Sequence, residues 1–210
     1  TSVHAIAKTW TGLGADNNWS TSDNWSPVGQ PATSDTVTFN GTGTKDATID
    51  ALANASVSTF AVSVGYTGTI TLARSFTMTG TYTQAAGNFT ASNQILAINS
   101  TYSMSAGTFT ASSTTTTFSG AFTVSGGTFT HNSGTVVFAG GAVTLSCGGT
   151  VFNLVSFAGQ SGIKTVNSNC TLPLGLDPTV SNGILLHGTL SGTGTFTQTT
   201  GQLNMQSTSG

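Results

Sequence analysis

The side chains able to move protons or hold a metal are few: Lys8, Asp16, Asp23, Asp35, Lys45, Asp46, Asp50, Arg74, Lys164 and Asp177, with His4, His131 and His187. Eight of the ten formal charges precede residue 75, and Ser75 to Ile163 run for 89 residues with none. General acid–base chemistry needs two titratable groups held close together, and such a stretch cannot supply them. Asp35, Asp46 and Asp50 come nearest to an oxygen set for calcium. They lack the alternating-acid spacing of a calcium loop, which favours solvated turn residues. No HxH or HExxH spacing points to a transition metal, and no G-x-S-x-G elbow presents a nucleophile. His131 reads as a tolerated surface histidine. No catalytic residue, metal or cofactor is therefore expected.

Three other residue types carry information. Cys147 and Cys170 lie 23 apart, and aligning AVTLSC with TVNSNC places them at equivalent points of consecutive repeats. Stacked strands are about 4.8 Å apart, within the Cα–Cα reach of a disulfide, so a bond is predicted, with two buried free thiols as the alternative. Trp10, Trp19 and Trp25 all fall in the first 35 residues, beside Pro27 and Pro31. They read as packing over the end of the fold, as an exposed aromatic platform for sugar, or as a contact with another subunit. Asn-x-Ser/Thr occurs at Asn18, Asn24, Asn40, Asn54, Asn88, Asn99 and Asn169, and matters only in a glycosylating host.

The framework that must hold these residues is unusual. Of 210 residues, 42 are Thr, 26 Ser and 27 Gly, while charged residues make up 5 %, against about 25 % in an ordinary domain. A net charge of −2 with four basic residues excludes electrostatic nucleic-acid binding. No apolar run of about 18 residues exists to cross a membrane as a helix. The absence of Glu and scarcity of Lys and Arg argue against helices. Twelve Phe and abundant Thr and Val argue against disorder. The first ten residues show no signal peptide, and a mature chain whose signal has been removed is expected.

A repeat of about 20 residues runs through the chain. Tyr82, Tyr102 and Phe122 are 20 apart, as are Gly87, Gly107 and Gly127, and Phe89, Phe109 and Phe129. Thr90, Thr110 and Thr130, and Ile98, Phe118 and Phe138, keep the same step. Looser copies reach back to TVTFNG at Thr36 and forward to GTFTQTTG at Gly194. Within each copy, apolar and hydroxyl residues alternate between Gly-rich turns, which means short strands. Propeller blades need about 40–45 residues, whereas a β-solenoid requires like residues to stack on successive coils. The expectation is an all-β, single-stranded β-solenoid of about 20-residue coils, a right-handed parallel β-helix by the usual crossover rule. Residues 1–35 form an N-terminal Trp-rich cap or docking segment and 36–210 the solenoid. Tyr82, Phe89, Tyr102, Phe109, Phe118, Phe122, Phe129 and Phe138 form its core ladder, with Thr90, Thr110 and Thr130 facing out.

The segment TWTGLGADNNWSTSDNWSPVGQPATSDTVTFNG, Thr9 to Gly41, resembles the opening of large secreted or surface-displayed bacterial β-solenoid proteins, including autotransporter passenger-like repeats. TVVFAGGAVTLSCGGTVFNLVSFAGQSGIKTVNSNCTLPLG, Thr135 to Gly175, is similar to their repeats. The resemblance covers most of the chain and implies a surface, adhesive or fibre-forming protein. Unlike the larger members, this sequence shows no C-terminal membrane barrel and no wall-sorting signal. Lyases built on β-helices cluster Asp, Lys and Arg on one face, which this body lacks. The expected function is a structural extracellular protein, not membrane-spanning, whose partners are copies of itself joined end to end in a surface fibre or layer. In that arrangement Trp19 or Trp25 is buried at the junction. The alternative is an adhesin or carbohydrate-binding surface module that recognises glycans or cell-surface components. Ice binding by outward Thr-x-Thr pairs (Thr108/Thr110, Thr128/Thr130) stands third, because Asn88 interrupts the array.

Overall fold

The computed structural model describes residues 4–141 and 143–158, and beyond them strand segments at 164–168, 170–171, 184–186, 190–191, 196–197 and 203–205. Alternation decides the local structure. In Thr36–Phe39 (β3), Thr69–Leu72 (β7), Thr115–Phe118 (β12) and Thr135–Phe138 (β15), the second and fourth residues are buried and the others half-exposed. Threonine suits the outer positions because its branched β-carbon prefers extended backbone while its hydroxyl stays wet.

The chain winds as a three-faced β-solenoid with parallel pairing between coils. The first face stacks β3, Phe60–Val62 (β6), the start of Tyr82–Thr90 (β9), the start of Tyr102–Thr110 (β11), Phe122–Val124 (β13), Val143–Ser146 (β16) and Lys164–Ser168 (β18). On the second face lie Ala47–Ile49 (β4), β7, the ends of β9 and β11, and Thr128–Thr130 (β14). The third carries Ser56–Val57 (β5), Phe76–Met78 (β8), Leu96–Ile98 (β10), β12, β15 and Leu154–Phe157 (β17), six strands and so about six turns. Strands β9 and β11 run unbroken round the corner between the first two faces. Gly87, Gly107 and Gly127 sit at that corner with φ of +56°, +84° and +83°. A Cβ at Gly107 would lie 2.6 Å from the Ala86 carbonyl oxygen of the coil below. Both facts explain why glycine recurs there every 20 residues.

The interior is an aromatic ladder. Tyr82, Tyr102 and Phe122 stack at 5.3 and 4.9 Å with rings within 8° of parallel. Phe89 stacks on Phe109 at 5.1 Å, and Phe118 on Phe138 at 5.9 Å. These seven side chains are fully buried. Phe129 is the exception. It stacks on Phe109 at 5.5 Å but is only partly buried. The cause is local: β14 pairs with β11 alone, because the next coil carries Cys147-Gly148-Gly149 at this level instead of a strand.

The N-terminal segment is built into the solenoid rather than laid over it. Ala7–Trp10 (β1) lies inside the 1–35 segment, yet pairs in parallel with β3, Ala7 against Thr36. Trp25–Ser26 (β2) then pairs antiparallel with β1 and ends the sheet. Antiparallel addition followed by Pro27 and Pro31 covers an edge that would otherwise invite pairing. At the other end, Cys147 and Cys170 form the disulfide expected from their spacing, with Cα atoms 5.0 Å apart.

Candidate functional surfaces

Among the described residues, Lys8, Lys45, Arg74, Asp16, Asp35, Asp46 and Asp50 bond to the chain's own backbone or side chains. Lys8, 5 % exposed, donates from Nζ to the carbonyls of Pro27 and Val28. Lys45 donates to the carbonyls of Gly14 and Asp16 at 3.0 and 2.7 Å. Its own carbonyl accepts from Trp10 Nε1 and the Tyr66 hydroxyl. Arg74 donates to the carbonyls of Ala51 and Ala53. These three cations thus brace turns. Asp35 is buried, and its two carboxylate oxygens accept from the backbone N–H of Ile6 and Ala32, each at 2.8 Å. Asp50 accepts from Ser20 through both N–H and hydroxyl. Asp16 is held below the usual carboxylate range, first by a hydrogen bond from the Thr21 side chain and then by the Asn18 N–H. Among the described residues no three of His, Cys, Asp and Glu gather to hold a metal. His131 spends Nδ1 accepting the Ser133 N–H at 2.9 Å; His187, Lys164 and Asp177 lie outside the residues whose side chains are described.

The tryptophans are buried within the chain itself, as packing over the end of the fold requires. Trp10, Trp19 and Trp25 are 0, 0 and 1 % exposed. Trp25 Nε1 donates to the Trp19 carbonyl at 2.7 Å. Trp19 packs edge-on to Trp25 and Phe76, and lies stacked with Phe60 at 5.9 Å. The physical reason is the end of the ladder: Phe39 and Phe60 would face water without a lid, and three indoles are the largest apolar surfaces available to cover them. Trp10, Trp19 and Trp25 are therefore cap core, and no indole is left to stack on a sugar or to be buried at a junction.

One concavity of about 380 Å³ opens where the coils separate on the second face. It lies between Thr128, Phe129, Thr130 and His131 on one coil and Gly148 to Val151 on the next. Nothing in the repeat announces it; the extra Gly-Gly after Cys147 is the only sequence sign.

Along the described strands the outward positions are rich in hydroxyls, while turns expose single apolar residues such as Leu13, Leu52 and Val64. On the second face, parallel register aligns Thr48, Thr71, Thr90, Thr110 and Thr130 over five coils. Beside them run Thr69, Asn88, Thr108 and Thr128. Sequence reasoning found the upper three members of the first column and missed Thr48 and Thr71. Comparison of the chain with protein-family models, curated proteins and solved structures finds no match.

Proposed function

We propose that the chain is a structural extracellular protein whose copies associate into a surface fibre or layer. The observation that carries this reading is the uncharged run from Ser75 to Ile163, most of it wound into stacked parallel strands whose outward positions are chiefly Thr, Ser and Ala. Charges on outer strands normally discourage sheet proteins from associating, and here they are missing over several coils. The Cys147–Cys170 bond between coils suits an oxidising compartment. Burial of the indoles weakens the carbohydrate-binding alternative, since no large aromatic side chain among the described residues is exposed.

The cap changes the expected mode of association. Strand β2 covers the N-terminal edge, so growth by joining bare edges end to end lacks one of its two surfaces. Copies instead pack side by side through the first and third faces. Negative-stain microscopy and sedimentation of the full chain test this, with Thr83→Lys on the first face and Thr117→Lys on the third as dispersing variants. Bundles or sheets that disperse in the variants are expected. Monodisperse rods of the unaltered chain at high concentration would overturn the proposal.

A further inference from the structure

We infer that the second face is an ice-binding surface, which takes a planar lattice of water molecules as its partner. The argument begins with composition by face. At the central outward position, the first face reads Thr38, Ala61, Thr83, Ser103, Thr123, and the third reads Thr77, Ala97, Thr117, Val137, Ser156. If threonine served only as a strand former, the second face would show the same mixture. It shows threonine at five successive levels, Thr48, Thr71, Thr90, Thr110 and Thr130, with Asn18 bridged to Thr48 at the N-terminal end. The neighbouring column is threonine at Thr69, Thr108 and Thr128, with Asn88 between and Asp46 at the Thr48 level. Asn88 does not open a hole, since its amide reaches the Thr69 hydroxyl at 3.4 Å.

Geometry then selects the partner. Parallel strands repeat at about 4.8 Å along the axis, and outward residues two apart on one strand lie about 6.6 Å apart. The paired columns thus form a two-dimensional lattice of methyl and hydroxyl groups whose repeats fall close to those of oxygen atoms on a prism surface of hexagonal ice. Both irregularities of the β9–β11 register fall before Thr108, so the array itself is in step. The levels of Thr71, Thr90, Thr110 and Thr130 carry no charge on these strands that would hold its own disordered hydration shell; the one carboxylate in the columns, Asp46, stands at the lowest level and accepts the Thr69 N–H at 2.7 Å. Each hydroxyl can hold a water by a hydrogen bond as good as a direct one, while the methyl beside it limits where that water sits. The columns measure about 19 Å by about 7 Å, far below the roughly 800 Å² per partner of a stable protein interface. A second copy is therefore poorly served by this face alone. A crystal surface, from which a bound protein need only resist overgrowth, is well served.

The test uses the full chain at a concentration where sedimentation shows it dispersed, so its result is separate from that of the assembly experiment. Ice-crystal shape, the gap between melting and freezing points, and recrystallisation in frozen sucrose are read for the unaltered protein, Thr90→Lys, Thr110→Lys, Thr83→Lys and Thr117→Lys. Circular dichroism confirms that each is folded. Faceted crystals and a freezing gap are expected, lost in Thr90→Lys and Thr110→Lys and kept in Thr83→Lys and Thr117→Lys. Unshaped ice with the folded, unaltered protein overturns the inference. Equal loss in all four variants overturns the assignment to this face. Binding to an insoluble crystalline polysaccharide, with no effect on ice, overturns the choice of lattice.

Discussion

Phe109 occupies the middle of the ladder, 5.1 Å from Phe89 below and 5.5 Å from Phe129 above, with Tyr102 edge-on at 5.1 Å. Phe109→Ala is expected to cost about 3–5 kcal/mol in denaturant unfolding, the usual range for a buried aromatic. Phe129→Ala should cost less, because the opening beside β14 already wets that ring. Equal losses at the two sites would contradict the opening. Asp35→Ala leaves the Ile6 and Ala32 N–H groups without their acceptor, at roughly 1–3 kcal/mol for each one left buried. The same measurement on Asp23→Ala, an exposed residue of the short 3-10 helix Ser22–Asn24, should show almost no change. At this scale the sequence was legible wherever coils are of equal length: Tyr82, Tyr102 and Phe122 advertise themselves by a constant step of 20. Thr48 and Thr71 were hidden because turns of different size set the Thr48–Thr71 and Thr71–Thr90 spacings to 23 and 19. The role of Lys45 had no signal at all, since its partners are carbonyls of Gly14 and Asp16, which every sequence possesses.

The coil is the element that matters, and its closure at Cys147–Cys170 can be tested alone. Alkylation before and after reduction, followed by intact mass, should show two thiols only after reduction; labelling of both without reductant would refute the bond. Reducing it should lower unfolding stability by about 3 kcal/mol, as for a closed loop of this size. Placing this bond from sequence worked because stacking makes equivalent positions neighbours. The β14 level failed for the complementary reason. The repeat predicts that Phe129 is covered by another strand, and Phe152 does lie 5.5 Å from it in the core, but Gly148 and Gly149 take up positive φ at +56° and +86°, replacing extended backbone with a turn. A period fixes which side chains stack; it does not guarantee that the backbone between them pairs.

For the molecule as a whole, the cap decides whether the first coil survives. Deleting residues 1–33 would uncover Phe39 and Phe60, both fully buried, along with the edge of β3. The expected result is a loss of cooperative thermal unfolding and precipitation, not a soluble solenoid with an unchanged β spectrum. Alkali offers a second global test. Burial raises the Tyr82 and Tyr102 hydroxyls well above their usual range, with the neighbouring Tyr102 adding to the effect at Tyr82. Burial and then Asp46 raise Tyr66. Each pKa is higher folded than unfolded, so stability is intact below about pH 10 and falls as pH rises past it. All three tyrosines of the chain take part. Tyrosinate absorbance should therefore appear only as β circular dichroism disappears; tyrosinate formed in a folded protein would contradict the ladder. The direction of the hydrogen bonds carries a last consequence, a mechanical one. Backbone bonds such as Phe60 N–H to Thr81 carbonyl and Tyr82 N–H to Thr101 carbonyl link one coil to the next, so they lie along the long axis. Tension applied along that axis loads them a coil at a time, like teeth of a zip, while tension across a face loads a whole row in shear. A rod of this design yields softly when stretched from its ends and stiffly when pulled sideways, and the Cys147–Cys170 link acts as a stop that the peeling of coils cannot pass.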